Sequence, residues 1–125
     1  HLQGWFTSLF PLYLKTYFKD DAIFSESKIV CSIYPKDFDG VISKNFKKKV
    51  EFDGIPENEI NNLSKANYQN LTKLSIDNAD AFVMHSSLID EEILEYVKNS
   101  KKPFLSQIDS ENEKSYVDFY KETLI

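Results

Sequence analysis

His85 is the residue of this chain best suited to chemistry near neutral pH, since an imidazole can give or take a proton there; the only other histidine is His1. It follows the apolar run Ala79 to Met84 and stands before Ser86 and Ser87. Tyr34 and Pro35 close a second apolar run, Lys28 to Tyr34, and Gly4 and Trp5 open a third apolar stretch. Aromatic faces pack against flat ligand surfaces, and imidazole nitrogens bond polar ligand groups. Gly4, Trp5, Tyr34 and His85 are therefore the candidate substrate-binding residues, with no catalytic residue assigned. The alternative for His85 is a turn histidine held by hydrogen bonds.

Other chemistries find little support. Two His and one Cys have no metal-ligand spacing, so no metal site is expected, and no cofactor either. Gly4, Gly40 and Gly54 are isolated, which removes a Gly-rich phosphate loop, and no Gly-x-Ser-x-Gly elbow exists. Cys31 sits in an apolar run without a nearby base, the setting of a buried small hydrophobe and not of a nucleophile. Lys73 reads either as a cleft lysine or as an exposed helix lysine.

These positions need elements to hold them. Gly4 to Phe18 reads as a helix that is apolar nearly all round, kinked at Pro11, fed by a strand lying before His1. Lys28 to Tyr34 and Ala79 to Met84 read as strands, the first nearly continuous in β-branched residues, as parallel strands covered on both faces are. Val41 to Val50 is expected to be a helix, as are Leu63 to Leu74 and beyond, Leu88 to Lys98, and a last segment opened by a Ser110 to Glu113 capping box. Ser87 with Asp90 suggests another capping box, and Lys101 with Lys102 suits the negative end of the helix before them. Pro103 to Ser106 reads as a short edge strand. The expectation is an α/β, Rossmann-like three-layer fragment with a small, mostly parallel sheet flanked by helices. In such sheets ligands sit beyond the carboxyl ends of the strands, where Gly4, Trp5, Tyr34 and His85 would stand.

His1-Leu-Gln-Gly-Trp-Phe-Thr7 followed by Pro11-Leu-Tyr-Leu-Lys15 resembles a segment of bacterial glycogen and starch synthases, His-x-His-Asp-Trp-His-Thr and then Pro-Leu-Tyr-Leu-Lys. Ile29 to Pro35 resembles that family's strand ending in Ile-His-Asn, and Leu71 through Ala81, Ser86 and Glu92-Ile93 resemble its Leu-Lys-Ala-Gly, Ala-Asp-Ala, Val-Ser-Pro and Glu-Ile segments. The resemblance implies that residues 1–125 are one domain, the C-terminal part of a larger Rossmann-like N-terminal domain in a GT-B glycosyltransferase of the cytoplasm. It implies α-1,4-glucosyl transfer from ADP-glucose or UDP-glucose to α-glucan, with this piece inactive alone. Gly4 and Phe6 replace polar residues of the motif, and Tyr34-Pro35 replaces His-Asn. A second reading follows, a non-catalytic member of that fold used for glycan or protein binding.

Composition bounds the partners. The chain has 125 residues, 42% of them apolar, and a net charge of −5, which gives no long-range attraction for nucleic acid. All 15 basic residues are Lys, so the planar fork that grips phosphate is missing. The Lys44 to Lys49 cluster reads as a solvated face, and no run is long enough for a membrane span. A single cysteine allows no internal disulfide. A strand missing before His1 would leave Lys28 to Tyr34 or Ala79 to Met84 unpaired on one side, and hence a homodimer or a companion fragment is expected.

Overall fold

The computed structural model describes residues 1–106 and 112–125. Among them lie four parallel strands, β1 (Leu2–Gln3), β2 (Val30–Ile33), β3 (Ala81–Met84) and β4 (Phe104–Leu105), in the spatial order 1-2-3-4. Five α-helices accompany them: α1 (Leu9–Lys15), α2 (Phe46–Phe52), α3 (Tyr68–Asn78), α4 (Glu91–Asn99) and α5 (Glu113–Thr123). Every residue of β2 and β3 is buried, as befits strands covered on both faces. The α/β, Rossmann-like expectation stands.

Strands taken in sequence order and joined by right-handed crossovers place their connecting helices on one face. Here α1 packs on α3 and α3 on α4. Beneath them Cys31, Ile33, Phe82 and Met84 meet Tyr68, Ile76, Ile93 and Val97. The strand period of two sends Val30, Ala81, Val83 and Leu105 the other way, against Phe119 of α5. Residues between β2 and α3 add an outer layer, in which Val50, Ile55, Ile60 and Leu63 close over Leu12, Leu71 and Leu74.

Several local expectations are corrected. The strand expected before His1 to feed the first helical segment is β1, within the chain, which pairs with β2, registering Leu2 with Cys31 and Gln3 with Ser32. Lys28 to Tyr34 and Ala79 to Met84 are consequently interior strands with partners on both sides. The segment Gly4 to Phe18 is not one helix either. A 3-10 turn, Trp5–Thr7, hands over to α1 at Ser8, so that Pro11 falls in the first turn of α1, where its missing N–H costs little. Nor is it buried all round, because Phe6, Phe10 and Tyr17 are exposed.

The helix expected over Val41 to Val50 starts only at Phe46, since the Ile42 N–H is drawn off to the Ala66 carbonyl at 3.0 Å. A 3-10 turn, Asn61–Lys65, precedes α3, and Asn67 caps α3 by accepting the Asn70 N–H at 2.9 Å. Ser87 is not the cap of α4; Asp90 is, accepting from Glu92 N–H at 2.9 Å. Lys102 does not close α4 but reaches back to the end of α3, where its ammonium donates to the carbonyls of Ile76, Asp77 and Ala79. The strand expected at Pro103 to Ser106 is β4. Ser110 lies outside the described residues; within them, α5 is capped by Asn112, accepting from Lys114 N–H at 2.9 Å.

Candidate functional site

Because β1, β2 and β3 run parallel, their C-terminal ends lie side by side and deliver Gly4, Tyr34 and His85 to one edge of the sheet. The His85 N–H donates to the Ile33 carbonyl at 2.9 Å, and the Gly4 N–H to the Ser32 carbonyl at 3.0 Å, extending the ladder past the strands. Gly4 takes a φ of 70°, the left-handed region that suits glycine, as the chain turns from β1 into the Trp5 turn. A Cβ there would lie 3.6 Å from the Tyr34 ring, an ordinary contact, so conformation and not space reserves the position for glycine.

Tyr34 and His85 are stacked, ring centroids 4.6 Å apart and planes 10° from parallel. Tyr34 is held at both ends. Its hydroxyl donates to Gln3 Oε1 at 2.5 Å, and its carbonyl accepts from the buried Tyr68 hydroxyl. Trp5 goes elsewhere. It shares a narrow cleft with Gly4 and Tyr34, about 10 Å³ in volume and room for one water at most, but its ring packs into the core beside Phe38 at 4.5 Å. Of the four expected rim residues, three meet at the edge and Trp5 backs them from the core side.

Beneath the stack is a polar cluster that the sequence reading overlooked. Ser32 points to the α5 face, where its hydroxyl lies 2.8 Å from His85 Nε2 and 2.7 Å from His1 Nε2. One hydroxyl hydrogen can serve only one of the two rings, so the other must donate to Ser32 Oγ, and the rings hold complementary tautomers when neutral. Tyr120 of α5 bonds His1 Nδ1, and the Tyr116 hydroxyl lies 3.5 Å from His85 Nε2. The chain His1–Ser32–His85 can thus pass a proton between two imidazoles through one hydroxyl. The signal was available: Ser32 is a polar residue inside an apolar strand, with the parity that faces His85 across two strands.

Burial lowers the His85 pKa from its ordinary 6.5. The sign of the consequence is fixed by linkage. Above 6.5 the ring is neutral folded and unfolded and contributes no pH dependence; as pH falls below 6.5 the unfolded chain takes up the proton first and stability is lost, down to the folded pKa. Replacing His85 with Gln removes this dependence, so the stability gap between native chain and variant narrows from pH 7.5 to pH 5.5. Urea unfolding at the two pH values checks it, and an unchanged or widened gap would contradict it.

Other candidates are structural. The Cys31 thiol is buried and its pKa is pushed up to about 12, mainly by desolvation, which makes it a poor nucleophile. Lys73 is neither free in a cleft nor simply solvated: it pairs with Glu92 and lies 5.3 Å from the Tyr96 ring centroid, joining α3 to α4. Among the described residues no group of three or more His, Cys, Asp and Glu is arranged to hold a metal ion. None of the described helices is long and apolar enough to cross a membrane.

Residues 1–105 match the sequence profile of a family described as the starch synthase catalytic domain. Among curated proteins, the chain is 33% identical over 57 residues to a protein named glycogen synthase from Thermosipho africanus, covering 46% of this chain and 11% of that one. It is 35% identical over 57 residues to the glycogen synthase of Thermotoga maritima, with the same coverage of 46% and 11%. A longer match, 29% over 96 residues, links it to the glycogen synthase of Thermodesulfovibrio yellowstonii, covering 75% of this chain and 19% of the relative. The chain therefore spans between about a tenth and a fifth of these relatives' length. No solved structure matches it.

Proposed function

The chain belongs to the starch synthase catalytic domain family, and we propose that it is the latter part of the N-terminal Rossmann-like domain of a cytoplasmic GT-B enzyme. That enzyme moves glucose from ADP-glucose or UDP-glucose to the end of an α-1,4-glucan. The observation that carries this reading is the match over residues 1–105. The edge bearing Gly4, Tyr34 and His85 is where a parallel sheet receives ligands, and it offers an aromatic face, an imidazole and a turn without a side chain. In this role Tyr34 and His85 contact the sugar, Gly4 lets it approach the backbone, and Trp5 supports the rim from behind. Nucleic acid and membrane are not partners of an Arg-free chain with net charge −5.

A second reading is a non-catalytic glycan- or protein-binding member of the family. It is favoured by one feature of the rim: His85 Nε2 is already engaged by Ser32, and the Tyr34 ring covers the imidazole face. Titrating maltotetraose into the isotopically labelled chain tests the rim, with amide shifts expected at Gly4, Tyr34 and His85. Shifts confined to Lys44–Lys49 would defeat it. Assayed alone, the chain is expected to incorporate no glucose from either nucleotide sugar above a no-protein blank; measurable incorporation would show that the transfer site is complete within these 125 residues.

Association is part of the same proposal, with a changed physical basis. The interior strands are paired, but Leu9, Phe10, Tyr13, Leu14, Phe18 and Phe24 line an apolar groove of about 480 Å³ on the outer side of α1. Exposed Tyr17 and Ile23 belong to the same segment. Apolar side chains gathered in this way offer a surface on which a second apolar surface could pack. A homodimer or a companion fragment is expected, and sedimentation at tens of micromolar decides it: a species of 14.6 kDa throughout would end the idea.

A further inference from the structure

The polar cluster on the α5 face has two possible proton arrangements, and its outer members decide between them. Tyr116 and Tyr120 stand one turn apart on α5, their ring centroids 6.3 Å from each other. The Tyr120 hydroxyl meets His1 Nδ1, and the Tyr116 hydroxyl lies 3.5 Å from His85 Nε2. Ser32 Oγ stands between the two imidazoles, 2.7 Å from His1 Nε2 and 2.8 Å from His85 Nε2. Tyr120, His1, Ser32 and His85 therefore form one chain of hydrogen bonds, which crosses from α5 to the edge of the sheet.

Such a chain can run in two senses. In the first, Tyr120 O–H donates to His1 Nδ1, His1 Nε2–H to Ser32 Oγ, and Ser32 O–H to His85 Nε2, which places the His85 proton on Nδ1. In the second every donor and acceptor is exchanged, and His85 carries its proton on Nε2. The chemistry of the phenols separates them. A phenol hydroxyl is a more acidic donor than an alcohol, its oxygen lone pair is drawn into the ring, and an unprotonated imidazole nitrogen is a good acceptor. The second sense makes the Tyr120 oxygen accept from His1 and sets His85 Nε2–H against the Tyr116 hydroxyl. The first gives both phenols the donor role, with Ser32 and, weakly, Tyr116 converging on an unprotonated His85 Nε2. Burial raises the Tyr120 pKa, so its hydrogen stays on the phenol.

The surroundings of the ring hold this arrangement in place. Tyr34 covers one face of the imidazole at 4.6 Å, and the backbone N–H of His85 is spent on the Ile33 carbonyl. Ser32 is 2% exposed, so bulk water has little access to its hydroxyl. A proton added to His85 has to enter at Nε2, displacing the Ser32 hydrogen, and burial disfavours the charge as well. With Nε2 inside the chain, the ring nitrogen left over is Nδ1.

We propose that Tyr120, His1 and Ser32 are positioning residues that hold His85 in its Nδ1–H form, so that at the edge of the sheet this histidine is a hydrogen-bond donor and not a base. The use of that donor on a ligand rests on the function proposed above; the position of the proton does not. It follows that α5, on the face of the sheet opposite α1, α3 and α4, governs the chemistry of a group at the ligand edge.

The test reads the two ring nitrogens of His85 directly, by long-range proton–nitrogen correlation on the nitrogen-labelled chain at pH 7.5 with no ligand present, where the ring is neutral. His85→Gln lacks the ring and assigns its signals. The native spectrum is expected to show Nδ1 protonated and Nε2 unprotonated, because the bond made at one nitrogen sets the proton on the other. Ser32→Ala removes the donor to Nε2 and is expected to move the tautomer ratio about tenfold toward Nε2–H. Tyr120→Phe takes one oxygen from a half-buried residue, keeps the fold, and is expected to move the ratio the same way by a smaller factor. A native spectrum with the proton on Nε2 would overturn the proposal, as would a ratio unchanged in both variants. A ratio moved in Ser32→Ala and unchanged in Tyr120→Phe would overturn the part given to α5 and support that given to Ser32. Should Ser32→Ala fail to fold, an unchanged ratio in Tyr120→Phe overturns the proposal by itself. A purely structural role for these residues would lower stability in the variants without moving the ratio.

Discussion

Replacing Lys102 with methionine is expected to lower the unfolding free energy by about 3 kcal/mol, a large effect for a residue in a loop between α4 and β4. The last carbonyls of an α-helix have no partner within the helix. At the end of α3 the Lys102 ammonium supplies them, donating to Ile76 O at 2.7 Å and to Asp77 O and Ala79 O at 2.8 Å each. A positive charge at a helix C-terminus also meets the negative end of the helix dipole. Burial lowers the Lys102 pKa, while the nearby Asp77 and Asp80 carboxylates oppose that shift. Methionine preserves the apolar stem and removes only the donors. The carbonyls of Ile76 and Ala79 then lose their partner close to fully buried side chains. Urea unfolding of the native chain and the variant measures the change, and a difference below about 0.5 kcal/mol would show that water replaces the ammonium at little cost.

Asp80→Ala is expected to cost about 2 kcal/mol, and the partition of that loss identifies its origin. The Asp80 carboxylate accepts the Ile29 N–H at 2.7 Å, while the Asp80 N–H donates to the Ile29 carbonyl at 2.8 Å. These bonds join the start of β2 to the start of β3. The same carboxylate meets Lys15 of α1 at 3.2 Å, but that lysine side chain is 39% exposed, and an exposed pair contributes little. Lys15→Ala should therefore cost no more than about 0.5 kcal/mol, and Asp80→Asn, which keeps an acceptor for Ile29, should fall between the two alanine variants. If Lys15→Ala proved as damaging as Asp80→Ala, the ion pair and not the backbone clasp would be responsible. Asp80 lies at the end of the sheet opposite His85, so in the folded variant the maltotetraose response at the rim should persist. The Ala-Asp segment that helped the family resemblance thus serves the framework of this chain and not its ligand edge.

The interior strands and the ligand edge were legible because each depends on local pattern. Val30 to Ile33 and Ala81 to Met84 are short apolar runs, and only a strand covered on both faces buries such a run completely. Once both are parallel strands, the residues that follow them share an edge, and Tyr34 and His85 could be named without coordinates. The family was legible too, from the Trp5 and Pro11 to Lys15 segments, and the match over residues 1–105 agrees. The short strand β1 was not, because two residues carry no periodicity and only pairing with Cys31 and Ser32 makes Leu2 and Gln3 a strand.

What the tertiary structure alone decided are contacts between positions far apart in the chain. Phe6 and Leu12 are both apolar members of the first segment, yet Phe6 is 83% exposed and Leu12 fully buried, because burial depends on what α3 and the residues around Val50 and Ile60 cover. Lys102 is followed by Pro103, and its charge suited the end of the nearer helix; it serves α3 instead, since a lysine stem is long enough to reach whichever unpaired carbonyls the fold brings near. Ser32 became part of a His1–Ser32–His85 chain because three strands set their residues side by side, a relation that sequence distance does not express. Local pattern determines which residues can form strands and helices. Which polar atoms then face one another is settled by register and packing, since a hydrogen bond requires atoms about 3 Å apart and not merely residues of suitable type.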